Sequence, residues 1–220
     1  MPNLIVLGSK SDIWAGLEPL FELDGWDIQK WHRDSNIRYF GQWDLVLSCI
    51  GQVAPVGHWW SLDPVQYRDC IEANLLPINL LRSVWVNRKP GASVCLMAGS
   101  NPQKIMPGYL PYNLSKMALL KAVEQIDYES PDTKVFALGP GYVPTKIHEA
   151  TRKAAWPNER ISRGDNGTSI DDIYACLKWC LSQDKKAVGA RNICVSDPWR
   201  NGLGEWLTSN PNLYKLRRVE

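Results

Sequence analysis

The chain has 220 residues, of which 45% are hydrophobic and 22% charged, and its formal net charge is +2. This length allows one domain with a sizeable core, and the small net charge gives no electrostatic reason to expect nucleic acid or an anionic membrane as a partner. The apolar runs are too short to span a bilayer, and the N-terminus lacks a basic stretch that leads into an apolar signal core. We therefore expect a cytoplasmic protein.

The six cysteines do not form a metal-binding pattern. They include no CxxC pair, and the three histidines are far apart in the sequence, so a zinc site is not supported. Four of the cysteines lie in or beside apolar segments: Cys49, Cys95, Cys180 and Cys194. We predict reduced, mostly buried thiols and no metal.

Short apolar runs alternate with helical patterns along the chain. The predicted strands are Leu4–Leu7, Asp27–Trp31, Leu45–Ile50, Ser93–Met97, Lys134–Leu138 and Asn192–Val195. The predicted helices are Asp12–Leu23, Pro64–Val86, Tyr109–Tyr128 and Ser169–Ser182. Runs such as LVLSCI are apolar on both faces, as in the central strands of a parallel sheet. The alternation predicts right-handed βαβ units in one doubly wound, mostly parallel α/β domain that spans residues 1–220.

In such a sheet, ligands bind beyond the carboxyl ends of the strands. The stretch GSKSDIW, from Gly8 to Trp14, follows the first predicted strand at the position of a glycine-rich phosphate loop. It contains only one glycine, and Asp12 and Trp14 stand where two more would be expected. Gly8 suits a tight turn and Asp12 suits a helix N-cap. By itself the stretch fits a dinucleotide site, a damaged one or a plain strand-to-helix turn.

A tyrosine and a lysine four residues apart begin the third predicted helix. Tyr112 and Lys116 lie in PGYLPYNLSK, and this spacing places them on one helix face. A phenol has an unperturbed pKa of about 10, and a nearby ammonium lowers that pKa. The pair would then transfer a proton at a carbonyl/alcohol centre. Without further context, the pattern is more often an exposed helix face.

Together with other segments, this helix resembles the short-chain dehydrogenase/reductase family. The matching pieces are PGYLPYNLSK, Asn74 in IEANLL, Pro140–Gly141 with Thr145 in GPGYVPTK, and DLVLSCIG from Asp44 to Gly51. The resemblance runs from residue 2 to about residue 198. It implies a Rossmann fold, an NAD(P)-dependent oxidoreductase acting on a small-molecule carbonyl/alcohol substrate, and a homodimer or homotetramer.

The resemblance also implies the roles of individual residues. Tyr112 would be the general acid/base, and Lys116 would lower its pKa and hold the nicotinamide ribose. Ser100 would orient the substrate oxygen, and Asn74 would connect Lys116 to a water chain. The implied cofactor-binding residues are Gly8, Ser9, Lys10, Ser11, Asp12, Ile13, Arg33, Cys49, Ile50, Gly51, Lys116, Pro140, Gly141, Val143 and Thr145.

The sequence departs from the family pattern at two places. The family's serine usually aligns with Gly99, and Ser100 is adjacent to that position. The family places a helix, a strand and a second helix between the positions of Arg33 and Asp44. About ten residues cannot hold them, because a crossover connection alone takes at least ~10–12 residues. We expect the third strand and its flanking helices to be reduced or missing, which would open the pocket beside the adenine.

The end of the second predicted strand, WHRD, bears on the choice of cofactor. Dinucleotide folds place an acid near this point to hold a ribose 2′-hydroxyl, or an arginine to hold a 2′-phosphate. Arg33 therefore favours NADP(H), with Lys10 as a second positive charge, and NAD(H) is the alternative. Arg33 would instead be a solvated partner of Asp34 if it has no binding role.

Residues 142–168 form the predicted substrate lid. The lid is rich in basic residues, which suggests an anionic substrate: Lys146, His148, Arg152, Lys153, Arg160 and Arg163. The same charges would equally serve the solubility of an exposed loop. A non-catalytic dinucleotide-binding or scaffold protein stays open. A nucleotide-sugar epimerase or dehydratase also stays open, although the short chain disfavours it.

Overall fold

A six-stranded parallel sheet forms the centre of the computed structural model, which describes residues 1–33, 41–99, 102–154 and 167–216. The strands are β1 (Asn3–Leu7), β2 (Asp27–Trp31), β3 (Trp43–Ser48), β4 (Arg88–Met97), β5 (Lys134–Gly139) and β6 (Asn192–Cys194). Their order is β2-β1-β3-β4-β5-β6, and every neighbouring pair is parallel. The predicted doubly wound α/β fold in a single domain is confirmed.

The helices of the described residues connect these strands. They are α1 (Asp12–Leu23), α2 (Pro64–Val84), α3 (Leu110–Glu129), α4 (Glu149–Lys153), α5 (Ile170–Ser182), α6 (Lys185–Val188) and α7 (Leu203–Ser209). Short 3₁₀ segments lie at Trp59–Ser61, Trp85–Asn87 and Lys146–His148. The sequence pattern does not predict α4, α6 and α7, because helices this short show little helical periodicity. None of these helices combines the length and the apolar character that crossing a membrane requires.

Helices cover both faces of the sheet, and this explains why its strands are apolar on both sides. In β1, Leu4 and Val6 belong to the hydrophobic cluster that includes α1 and α5. Ile5 and Leu7 belong to the cluster that includes α2 and α3. Successive side chains of a strand alternate between the two faces. All six cysteines are buried and unpaired, as predicted.

Trp14 is a core residue rather than part of a phosphate loop. Its side chain is fully buried in the cluster shared by α1 and α5. Its ring centroid lies 5.8 Å from that of Phe21, one turn from the end of the same helix. An indole therefore fills the layer between α1 and the sheet at the position where the family pattern expects a glycine.

β2 is an edge strand among the described strands, and the short segment between Arg33 and Asp44 follows it. β1 pairs with β2 on one side and with β3 on the other, so β2 has no second neighbour among the strands described. The chain passes from Trp31 at the end of β2 to Trp43 at the start of β3, and residues 34–40 lie outside the described residues. The sheet of the described residues has six strands, which agrees with the expectation that the third strand and its flanking helices are reduced or missing.

Candidate active site

A cavity of about 760 Å³ lies beyond the carboxyl ends of β1 to β5. Its volume is within the ~300–1,000 Å³ that small-molecule and cofactor sites occupy. All of the predicted cofactor-binding residues except Ser9 line it. Of the predicted catalytic residues, Tyr112 and Lys116 line it, Asn74 lies behind its wall, and Ser100 lies outside the described residues. The fold therefore brings most of the predicted site into one place.

The turn after β1 requires a glycine. Gly8 has a φ of +91°, a conformation that side chains with a Cβ rarely adopt. A Cβ at this position would lie 2.8 Å from Cγ1 of Ile50, which follows β3. The N–H groups of Gly8 and Ser9 both donate to the carbonyl of Trp31, each at 2.9 Å. These bonds fix the turn against β2 and direct the chain into α1.

Ser11, and not Asp12, is the N-cap of α1. The Ser11 Oγ accepts a hydrogen bond from the N–H of Trp14 at 3.0 Å, and Asp12 is the first residue of the helix. The expectation that Asp12 caps the helix is thus wrong, because its carboxylate accepts hydrogen bonds from Lys146 instead.

The N-terminus of α1 fits an anionic group. The N–H groups of Asp12 and Ile13 have no hydrogen-bond acceptor among the described residues, and both residues line the cavity. The first N–H groups of a helix lack partners within it, and the helix dipole places partial positive charge there. A pyrophosphate would be stabilised by both effects.

Tyr112 and Lys116 approach the cavity from α3. Lys116 is only 3% exposed, and its Nζ donates to the carbonyl of Met97 at 2.9 Å. The same Nζ lies 5.9 Å from the centre of the Tyr112 ring. The Tyr112 hydroxyl faces the end of β4, where a Cβ built on Gly99 would lie 3.3 Å from it.

Burial controls the protonation of both groups. Burial raises the pKa of Tyr112 to about 12, and the nearby Cys70 and Tyr109 add to this shift. Burial also lowers the pKa of Lys116 to about 8, which Cys70 partly opposes. The direction for Tyr112 is opposite to the lowering expected from a neighbouring ammonium, because burial removes the hydration that would stabilise the phenolate. At neutral pH the Tyr112 hydroxyl is therefore a proton donor.

Asn74 fixes the main chain that follows β3. It is fully buried, and its Nδ2 donates to the carbonyls of Gln52 at 2.7 Å and Cys70 at 2.9 Å. Its Oδ1 accepts from the N–H of Gln52 at 3.2 Å. Its side chain thus holds Gln52 rather than Lys116, and its connection to Lys116 through water stays a prediction.

The turn after β4 has a contact that sequence reasoning missed. Asn192 of β6 donates from its Nδ2 to the carbonyl of Gly99 at 3.1 Å. This bond fixes the main chain opposite the Tyr112 hydroxyl. Nothing in the sequence pattern around Asn192 indicates it, since the contact joins residues 93 positions apart.

If the site reduces a carbonyl, as the sequence resemblance implies, a serine at position 99 should raise the rate of that reaction. In Gly99→Ser the new Cβ lies 3.3 Å from the Tyr112 hydroxyl, so the added hydroxyl would be a second donor to the substrate oxygen. One such donor is worth ~10²-fold in other enzymes, and we expect about tenfold in kcat/KM here. Gly99→Ala is the matched control, and it should lower the rate, because it adds the same Cβ without a donor. An unchanged rate in Gly99→Ser would contradict this assignment of position 99.

The two ends of the predicted lid are held together. The N–H of Thr168 donates to the carbonyl of Tyr142 at 2.7 Å. A Cβ on Gly167 would lie 2.6 Å from Cδ of Pro144, so the ends approach as closely as a glycine permits. Residues 155–166, including Arg160 and Arg163, lie outside the described residues.

The charges of the described part of the lid give little support to an anionic substrate. Lys146 pairs with Asp12. Burial and the charge of Arg152 lower the pKa of His148, which leaves His148 neutral at pH 7. Arg152 and Lys153 are exposed.

Comparisons with known proteins bear on the sequence similarity and the fold of this chain. No protein-family model matches the chain. A short chain dehydrogenase of Penicillium rubens, adrF, is 25% identical over 182 residues, which cover 74% of this chain and 71% of the relative.

Solved structures of dehydrogenases have the same fold. A small-chain dehydrogenase in complex with NADPH superposes with a TM-score of 0.75 at 16% identity, over 88% of this chain and 95% of that one. A 4-hydroxyisoleucine dehydrogenase complexed with NADH superposes with a TM-score of 0.69 at 17% identity, over 88% and 96% of the two chains. The chain is thus similar in sequence to curated short chain dehydrogenases and has the fold of solved dehydrogenases.

Proposed function

We propose that the chain is an NADP(H)-dependent oxidoreductase that interconverts a carbonyl and an alcohol, with Tyr112 as the general acid/base. The observation that carries this proposal is the shared cavity. The Tyr112 hydroxyl and the unpartnered N–H groups at the start of α1 line the same space. A nucleotide held at α1 therefore has a proton donor within the same site.

Several described residues fit a nicotinamide dinucleotide. The start of α1 would hold the pyrophosphate through the N–H groups of Asp12 and Ile13. Gly51 lies beside Lys116, since a Cβ there would be in van der Waals contact with the Lys116 Nζ at 3.7 Å. Lys116 would then reach the nicotinamide ribose, while Pro140, Gly141, Val143 and Thr145 line the wall after β5.

Arg33 supports a preference for NADP(H). It lies directly after β2, lines the cavity and is exposed. A guanidinium offers the paired donors that suit a 2′-phosphate. The alternative partner considered for it, Asp34, lies outside the described residues.

The residues of the site divide the chemistry between them. A bound nicotinamide supplies or accepts the hydride. Tyr112 donates its hydroxyl proton to the substrate oxygen during reduction, and its raised pKa keeps that proton in place at neutral pH. Lys116 contributes positive charge beneath the phenol, and that charge favours transfer of the proton away from it.

A nucleotide titration tests the proposal. We expect saturable quenching of tryptophan fluorescence by both NADPH and NADH, with tighter binding of NADPH. Arg33→Ala should weaken NADPH binding by about tenfold and leave NADH binding within about twofold, because only NADPH has the 2′-phosphate that a guanidinium pairs with. Binding of neither nucleotide to the wild-type protein would contradict the proposed function. Tighter NADH binding would contradict the role of Arg33 alone.

A non-catalytic dinucleotide-binding protein is the second candidate. Gly99 favours it, because this residue provides no side-chain donor where the family pattern places a serine. Binding of NADPH without turnover of any carbonyl substrate would support this candidate over the enzyme.

The remaining proposals concern the surroundings of the site. We take residues 142–168 as the substrate lid, supported by the contact between its ends at Tyr142 and Thr168. By family resemblance we also expect a cytoplasmic homodimer or homotetramer.

A further inference from the structure

Asp12 and Lys146 connect two segments that both line the cavity. Asp12 begins α1 after β1, and Lys146 begins the 3₁₀ segment that follows β5. The Lys146 Nζ lies 2.8 Å from the Asp12 Oδ1, and the Lys146 N–H donates to the Asp12 Oδ2 at 2.9 Å. The same Nζ also donates to the carbonyl of Lys10 at 3.3 Å. All three residues line the cavity.

The carboxylate of Asp12 substitutes for a missing cap. The 3₁₀ segment Lys146–His148 follows Thr145, whose side chain makes no capping hydrogen bond. The first N–H groups of such a segment need an acceptor from outside it. Asp12 provides this acceptor from another element of the fold, so it holds the start of the predicted lid in place.

The ammonium of Lys146 also offsets an unfavourable charge. Asp12 occupies a loop position where the family pattern has glycine, next to N–H groups suited to an anion. Its hydrogen bonds with Lys146 lower the pKa of Asp12, so the carboxylate is ionised at neutral pH. Without Lys146 this negative charge would stand uncompensated beside a bound pyrophosphate and would repel it.

We propose that Asp12 and Lys146 form a latch, which fastens the start of α1 to the 3₁₀ segment Lys146–His148 beside the cavity and slows the release of the nucleotide. This inference rests on the proposed function, since it requires that a nicotinamide dinucleotide occupies the cavity. It assigns positioning roles to two residues that do not carry out the chemistry.

Rates of NADPH release distinguish the latch from an ordinary surface ion pair. We would load the wild type, Lys146→Met, Asp12→Asn and the double variant with NADPH, and follow its displacement by stopped-flow fluorescence. Lys146→Met should release NADPH about tenfold faster, because it leaves the Asp12 carboxylate without its counter-charge and removes the ion pair between the two segments. In the Asp12→Asn background, Lys146→Met should accelerate NADPH release by no more than about twofold, since the charge that Lys146 offsets is gone.

Asp24 and Lys178 provide a matched control. Their side chains form an ion pair of 2.6 Å with similar exposure, 35% and 54%, against 36% and 65% for Asp12 and Lys146. Asp24 follows the far end of α1, away from the cavity. Lys178→Met should leave the release rate unchanged. Thermal unfolding should change little in either lysine variant, because exposed ion pairs contribute little to stability.

The outcomes separate this inference from the proposed function. If Lys146→Met accelerates release equally with and without Asp12→Asn, Lys146 acts on the nucleotide by itself and the latch is refuted. An unchanged release rate in Lys146→Met also refutes the latch but leaves the proposed function intact. If the wild type binds neither NADPH nor NADH, both proposals are wrong.

Discussion

Replacing Tyr112 by phenylalanine should lower the turnover of a carbonyl substrate by ~10²–10⁴-fold and leave the affinity for NADPH unchanged. The substitution removes the proton donor and keeps the ring. The fold should tolerate it, because no hydrogen bond joins the Tyr112 hydroxyl to another of the described residues. Steady-state oxidation of NADPH in the presence of a carbonyl substrate measures turnover, and fluorescence titration measures affinity.

Tyr109 is the matched control for this experiment. It is a buried tyrosine three positions before Tyr112, directly before α3, and it does not line the cavity. Tyr109→Phe should keep turnover within a few-fold of the wild type. If Tyr112→Phe retains the wild-type rate, Tyr112 is not the acid/base, and a loss of the same size in both variants would indicate a structural rather than a chemical effect.

The fold could be predicted well because its signals are local. The bounds of β2 and α1 agree with the predicted ones, since each has a periodic apolar pattern with a turn on either side. The shortened stretch before Asp44 could be predicted by comparing its few residues with the segment that the family pattern places there. The small helix α4 could not, because five residues show too little periodicity.

The composition of the site could be predicted better than its electrostatics. Motif spacing indicates that Tyr112 and Lys116 share a face, and the structure brings both to the cavity. The spacing predicts a lowered pKa for Tyr112, and this prediction is wrong because burial raises the pKa. Burial depends on the packed molecule and cannot be read from the spacing of two residues. The pairing of Asp12 with Lys146 joins residues 134 positions apart, and no local pattern reports such a contact.

Burial of the Lys116 ammonium should lower the free energy of unfolding measurably at neutral pH. Its pKa falls from 10.5 to about 8 on burial, so folding disfavours the ammonium. Below pH 8 both the folded and the unfolded chain carry the proton, and this cost is fully present. Between pH 8 and 10.5 the unfolded chain binds more protons than the folded one, and stability rises with pH. The wild type should therefore gain about 3 kcal/mol across this range relative to a variant without the amine.

Lys116→Met tests this expectation through the free energy of unfolding in urea at several pH values from 7 to 10.5. At pH 7 the Met variant avoids burying a charge but leaves the carbonyl of Met97 without its donor. The informative quantity is therefore how the difference in unfolding free energy between Lys116→Met and the wild type changes with pH. The advantage of Lys116→Met over the wild type should shrink steadily above pH 8. Met117→Leu alters no titratable group, and its difference from the wild type should stay constant. A constant difference for Lys116→Met would mean that the ammonium is hydrated in the folded protein. The buried lysine that the proposed chemistry needs would then be absent, because an exposed ammonium has little effect on the phenol of Tyr112.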